Sequence, residues 1–272
     1  STLESTRILL NSANPRYANG LANSSGVLGH YLMDHLYGSG AYGEYPGLKE
    51  FPDLGRRPKG IYIPRFQDLK GKDSKYLRGY GFQGGNHRAG YLGGFQLPSL
   101  GSSLPPGFGA SLKEAMKEPG DWSMSLSGFG ECLPDKRNKV EINKSLADKW
   151  GIPAMHITAD WYENDQTMYD EIRDVGAEML EASGCKNVRT FGESKPAPPG
   201  KGIHEMGTAR MGNDPKTSVL NKWNQTHDIK NLFVTDGSFM VSSGCQNPSI
   251  TYMAFTARAA NYAVEQLKKG EL

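Results

Sequence analysis

The sequence predicts an α+β fold in which an antiparallel sheet is flanked by helices, and three observations carry that expectation. Strand-like runs recur at Gly60-Ile61-Tyr62-Ile63, Arg78 to Gly84, Trp122 to Phe129, Lys139 to Asn143, Ala154 to Asp160 and Lys186 to Phe191. The spacing of the later ones suits an antiparallel meander with one packed face. Helical periodicity is confined to a few segments, of which those after Asn164 and after Pro248 are the longest. Finally, 34 Gly and 16 Pro among 272 residues exceed the usual share and indicate many turns rather than a helical bundle.

The chain opens Ser1-Thr2-Leu3-Glu4-Ser5-Thr6-Arg7-Ile8-Leu9-Leu10, a capped helix with an apolar face and no leader. It reads as the inside of a longer protein whose true N-terminus is missing. Asp34-His35 reads either as a hydrogen-bonding pair at a helix terminus or as a direct participant in chemistry. Gly38-Ser39-Gly40-Ala41-Tyr42-Gly43 matches G-x-G-x-x-G, yet a dinucleotide site needs a helix straight after the glycines and Glu44-Tyr45-Pro46-Gly47 forbids one. Between Gly38 and Gly107 the chain is dense in Gly, Pro, Tyr and Arg, and Arg78 to Gly84 alternates small and aromatic residues as a sheet with one lined face would.

A short helix is expected from Gly109 to Lys117, ended by Pro119-Gly120. Strict alternation marks Trp122 to Phe129 as a strand. Asn164 is expected to cap a helix whose Met168, Ile172, Val175, Met179 and Leu180 line one side up to Gly184. Pro196 to Gly200 then forms a stiff connector. Leu232-Phe233-Val234 reads as a buried strand closed by the Asp236-Gly237 turn. Pro248 suits the first turn of a helix, with Asn247 as its cap beside free backbone donors. That helix continues through Ile250, Met253, Ala254, Ala257, Ala260, Asn261, Val264 and Leu267, and stops at Gly270.

Composition excludes several classes of function. The 31 basic and 29 acidic residues nearly cancel, and no basic block interleaved with aromatics points to nucleic acid. No apolar run approaches the roughly 20 residues that cross a membrane. Cys132, Cys185 and Cys245 are odd in number and far apart, which suggests buried free thiols rather than disulfides or a metal knuckle. His204-Glu205 begins like the zinc motif H-E-x-x-H, but Thr208 stands where the second His would be, and no G-x-S-x-G elbow is present. No metal site is expected.

What remains is an ordered set: Ile203-His204-Glu205-Met206-Gly207-Thr208, then Asp236-Gly237-Ser238 after an apolar run, then Gly244-Cys245-Gln246-Asn247-Pro248 opening the last helix. It resembles the C-terminal signature of the glucose-methanol-choline (GMC) flavoprotein oxidoreductases, and most of all the His/Asn members among pyranose 2-oxidases and bacterial sugar dehydrogenases. The stretch Gly20 to His35 is similar to the family as well, which commonly carries Arg where this chain has His30. The likeness is strongest from His204 to Glu265, moderate over 1–35 and 139–184, and weak between 38 and 110.

The resemblance implies an FAD-dependent oxidation of an alcohol group, of a sugar or other polyol, in which His204 and Asn247 converge on the substrate hydroxyl. Asn cannot accept a proton, so the base is His204 and Asn247 holds the oxygen through its amide N–H. It further implies that Asp236 and Gly237 contact the ribityl and pyrophosphate part of FAD, and that Asn247, Pro248 and Thr251 line the edge of its ring. Residues 1–35 are then a remnant of the FAD-binding domain, 36–200 the substrate domain, and 201–272 the segment that completes the C-terminal part of the FAD-binding α/β domain and the site. The partner so implied is an N-terminal flavin-binding half of the same protein. Without it the chain is expected to be colourless and inactive. Aromatic residues between Tyr37 and Phe95 suit stacking on a sugar. The electron acceptor is left open. The rival expectation is a catalytically silent carbohydrate-binding or structural chain that keeps the fold without a cofactor.

Overall fold

The structure is a computed structural model that describes residues 1–51, 60–67, 75–88, 108–115 and 121–272. Alternation from Trp122 onward becomes β4 (Trp122–Glu131), the middle strand of an antiparallel five-stranded sheet. The other members are β1 (His35–Tyr45), β2 (Gly60–Ile63), β3 (Tyr80–Arg88) and β7 (Lys186–Phe191), in the order β2-β3-β4-β1-β7. The G-x-G-x-x-G lookalike lies inside β1: Gly40 and Gly43 are strand positions, Gly38 sits at a register shift with φ +102°, and the strand runs on to Tyr45 where a dinucleotide site would begin a helix.

Register decides what each face carries, because successive side chains on a strand point to opposite sides. Leu126 is opposite Ala41 and Gly84, Gly128 is opposite Phe82, and Gly130 is opposite Leu36 and Tyr80. This face is buried and is covered by α3 (Glu163–Ala182), whose Met168, Tyr169, Ile172 and Leu180 complete the larger hydrophobic core. The two glycines set how closely the helix sits. A Cβ added to Gly128 would lie 2.3 Å from Ile172 Cγ2, and one added to Gly130 would lie 2.7 Å from Met168 Sδ. The opposite face carries Tyr37 with Phe129 and Gly81, Ser127 with Gln83, and Tyr62 beside Gln83. It is the aromatic-and-small surface that the alternation in β3 predicts.

Several expectations need correction. The strands after Glu131 do not extend the meander: β5 (Lys139–Ala147) and β6 (Pro153–Thr158) form a separate two-stranded sheet, bridged at Lys139 to His30. Their anchors lie in the N-terminal segment, where Val140 N–H donates to Gly29 O at 2.8 Å. Arg7 of α1 (Thr2–Asn11) donates to Pro153 O at 3.0 Å and to Asp148 at 2.8 Å. The cap of α3 is Tyr162, whose N–H donates to Asp165 at 3.0 Å; Asn164 instead pairs with the backbone of Leu77. The short helix α2 (Ala110–Ala115) forms as expected, while its stop at Pro119-Gly120 lies outside the described residues.

A second core joins α1 and residues near 22–28 to the segment 209–239, through Leu9, Ala22, Leu28, Ala209, Leu220, Val234 and Phe239. The run Leu232-Phe233-Val234 is not a strand. Its backbone is answered by single contacts, Thr226 N–H to Leu232 O and Val234 N–H to Asn224 O, both 2.9 Å, and by one bridge from Gln225 to Phe233.

The final helix, α4 (Ser249–Lys268), has Pro248 at its cap and ends before Gly270, whose φ of +70° is the left-handed turn that glycine permits. Asn247 therefore stands one residue outside the helix, not at the cap. The apolar stripe read from periodicity is not the packed side of α4. Ile250, Met253, Val264 and Leu267 are 77, 70, 51 and 65% exposed, and the stripe meets no partner among the described residues. The helix rests instead on its aromatic side, where Phe255 stacks on Phe239 at 4.7 Å and Tyr262 on Trp223 at 4.8 Å. All three cysteines are free and buried.

Candidate active site

His204 follows the proline-rich connector and has little regular structure to hold it. Its place is set by a short ribbon: Met206 and Met33 exchange two backbone hydrogen bonds, 2.8 and 2.9 Å, and Thr208 does the same with Gly29 and His30. Just past the Met33 end of this ribbon lies Asp34, 1% exposed. One carboxylate oxygen accepts the N–H groups of Gly200 and Gly202 at 2.7 and 3.0 Å; the other accepts those of His35 and His204 at 2.8 and 3.1 Å. Four donors converging on a buried carboxylate fix the loop in a strained shape, for Ile203, β-branched, is held at φ +57°.

The ring of His204 is half-buried and meets the ring of His35. His35 Nδ1 and His204 Nδ1 are 3.0 Å apart, with the two rings edge to face at 4.9 Å between centroids. His35 is buried at the first position of β1, edge-on to Phe129 at 5.8 Å. Burial pushes its pKa from 6.5 down to about 4, and the neighbouring His204 acts in the same direction. The carbonyls of Ser243 and Gly244 and the Asp34 carboxylate oppose the fall without cancelling it. His35 is thus neutral at ordinary pH. Its contacts join the His204 loop to the segment 243–247.

Asn247 is exposed at the mouth of α4, and its Oδ1 accepts a hydrogen bond from Gln83 Nε2 at 2.8 Å. With the carbonyl side so engaged, the amide N–H groups remain for another partner. Pro248 offers no side-chain cap, leaving the donors of the first turn, at exposed Ser249 and Ile250, open; Thr251 is half-buried beside them. Asp236 caps the turn Gly237–Phe239. Burial alone would raise its pKa, but the hydroxyls of Ser238 and Ser5 and the Ser238 N–H outweigh that and hold it below the ordinary range. Gly237 is tightly enclosed: an added Cβ would lie 2.5 Å from Thr2 Oγ1 and 2.6 Å from the Tyr252 hydroxyl.

Sequence reasoning singled out His204 and Asn247, noted Asp34-His35 without linking the pair to His204, and missed Gln83. Asp34-His35 does not end a helix; His35 opens β1 and meets His204 across 169 positions of sequence, with Asp34 just before the strand. The available signal was an ionisable pair set between Leu32-Met33 and Leu36. For Gln83 the signal was an amide on the small-and-aromatic face of β3.

The family model described as GMC oxidoreductase matches residues 134–256. A 2-methyl-1,2-propanediol dehydrogenase of Mycolicibacterium austroafricanum is 32% identical over 96% of this chain and 46% of its own length. The fructose dehydrogenase large subunit of Gluconobacter japonicus is 28% identical over 98% of this chain and 46% of its own length. Among solved structures, pyridoxine 4-oxidase from Mesorbium loti superposes with a TM-score of 0.54 at 18% identity, over 97% of this chain and 50% of that one. This chain spans about half the length of the relatives it matches.

Proposed function

We propose, from the premise that this chain belongs to the GMC oxidoreductase family and carries its C-terminal part, that the complete protein uses FAD to oxidise a CH–OH group of a sugar or other polyol to a carbonyl. The observation that supports this most is the half-buried His204, held through Asp34 and His35 beside the loop that ends in Asn247. A diol and a sugar, the substrates in the names of the two relatives, are in keeping with it. So is the open sheet face with Tyr37, Phe129 and Tyr62, which offers rings to a sugar and Ser127 and Gln83 to its hydroxyls. Part of the Tyr37 to Phe95 stretch lies outside the described residues.

The residues present fit the cofactor. The uncapped start of α4 offers backbone donors to an electron-rich ring edge, with Asn247, Pro248 and Thr251 around them. Asp236 and Gly237 shape the adjoining turn, on which the ribityl and pyrophosphate part is proposed to rest. FAD, when bound, supplies the acceptor for the hydride. His204, with Nδ1 turned to His35, takes the hydroxyl proton at Nε2, and the Asn247 amide donates to the oxygen as it gains charge, its orientation kept by Gln83. Residues 1–35 and 201–272, which share the second core, are proposed to join an N-terminal flavin-binding half, with 36–200 as the substrate domain.

The test uses the full-length protein. Flavin absorbance separates this reading from a cofactor-free carbohydrate-binding or structural chain. A panel of aldoses, glycosides and simple alcohols, run with oxygen and with an artificial acceptor, reads the substrate class. His204→Ala is expected to retain flavin and lose about 10²–10⁴ in kcat, and Asn247→Asp to be impaired because a carboxylate repels the developing alkoxide. Unchanged turnover in His204→Ala removes that residue from the base role.

A further inference from the structure

We propose that His35 is a positioning residue that sets the tautomer of His204, accepting its Nδ1 proton and so leaving the Nε2 lone pair free to face the substrate. The inference rests on the reading of His204 as the base and adds what makes it one. Two ring nitrogens 3.0 Å apart need one proton between them, and either ring could supply it. If His35 donated, His204 would accept at Nδ1 and carry its own proton on Nε2, where it could take nothing from a hydroxyl. If His204 donates, Nε2 is bare.

The surroundings of His35 favour the second arrangement. Its own Nε2 is buried and has no well-directed hydrogen bond, and the acceptors near the ring are the carbonyls of Ser243 and Gly244. Because Nδ1 is taken up by His204, those carbonyls fall to the other nitrogen, Nε2, where a lone pair would oppose them and an N–H is attracted to them. The proton of neutral His35 therefore belongs on Nε2, and Nδ1 is the acceptor. Burial keeps the ring neutral, against the pull of Asp34 beside it; Glu131, its cross-strand neighbour, is paired with Arg78 at 3.6 Å. After proton transfer the His204 imidazolium still donates from Nδ1 to an unchanged acceptor, so no rearrangement is needed between the two states.

Long-range ¹H–¹⁵N correlation on full-length protein labelled with ¹⁵N-histidine reads the tautomers directly, without turnover. At neutral pH the expected result is His204 protonated at Nδ1 and His35 at Nε2. His35 protonated at Nδ1, or His204 at Nε2, overturns the proposal. In the holoenzyme, His35→Phe is expected to lower kcat by at least about 10²-fold with KM held within about twofold. His35→Asn, whose Oδ1 reaches the place of Nδ1, is expected to recover most of the loss. An Asn variant as slow as the Phe variant, or a Phe variant as fast as the parent, contradicts the acceptor role. Should His204→Ala keep its turnover, the base reading falls on its own and the measured tautomers do not enter, so the two failures are told apart.

Discussion

Replacing Asp34 by Asn tests the part of the site on which everything else is mounted. The change is isosteric but turns one of two acceptor oxygens into an NH2 group. Whichever way the amide settles, it keeps one pair of donors, either Gly200 and Gly202 or His35 and His204, and sets an N–H donor against the other pair. Buried hydrogen bonds to a charged acceptor contribute about 1.5–3 kcal/mol each, so two lost together amount to roughly 3–6 kcal/mol. There is no slack for the loop to absorb the change, since even a Cβ on Gly202 would lie 2.7 Å from Asp34 Oδ1. Release of the strained Ile203, at φ +57°, returns about 1–3 kcal/mol of that. A net loss of roughly 3 kcal/mol is therefore expected, a large share of the 5–15 kcal/mol typical of a folded domain. The assay is urea unfolding of full-length parent and variant at equal FAD concentration, followed by kcat. A midpoint shift worth less than about 1 kcal/mol, together with parental kcat, would refute the claim that this carboxylate holds His204 in place.

Two further outcomes follow from the same contacts. Because the pKa of His35 falls from 6.5 to about 4 on folding, the unfolded chain binds a proton that the folded chain refuses in that window. Stability is thus full above pH 6.5 and drops by roughly 3 kcal/mol as pH falls towards 4; Asp165, pushed up by burial, works in the opposite sense, so the check is the difference in slope between the parent and His35→Phe in melts across this range. Gln83→Leu frees the Asn247 amide to turn its carbonyl towards the substrate, and kcat/KM is expected to fall by about 2- to 10-fold, the worth of one modest hydrogen bond, with little change in unfolding midpoint because the pair is exposed; an unaltered kcat/KM would mean that Gln83 does not orient Asn247.

How much of this was legible in the sequence depends on the range over which each feature is decided. Alternation and helical periodicity are local, so β4, β7, α1 and the core side of α3 could be read directly, as could the failure of the glycine motif within β1. The caps of α3 and α4 and the packed side of α4 escaped, because Asn164 was recruited by Leu77 and because Phe239 and Trp223 outcompete an aliphatic stripe for the helix. Periodicity finds a stripe but not the surface it meets. The site shows the same limit more sharply. The alternation that puts Leu126, Gly128 and Gly130 beneath α3 must send Ser127 and Phe129 the other way, so a small-and-aromatic face was foreseeable. Which residues of distant segments stand over its end was not, since Asp34 to His204, His35 to His204 and Gln83 to Asn247 are joined across 164 to 170 positions. His204 and Asn247 were singled out through a family likeness, and their roles as base and donor amide are the reading proposed above. Their partners have to be inferred from geometry: a base needs its other nitrogen occupied, and a donor amide needs its carbonyl engaged, and in this fold both requirements are met by the strands of the sheet.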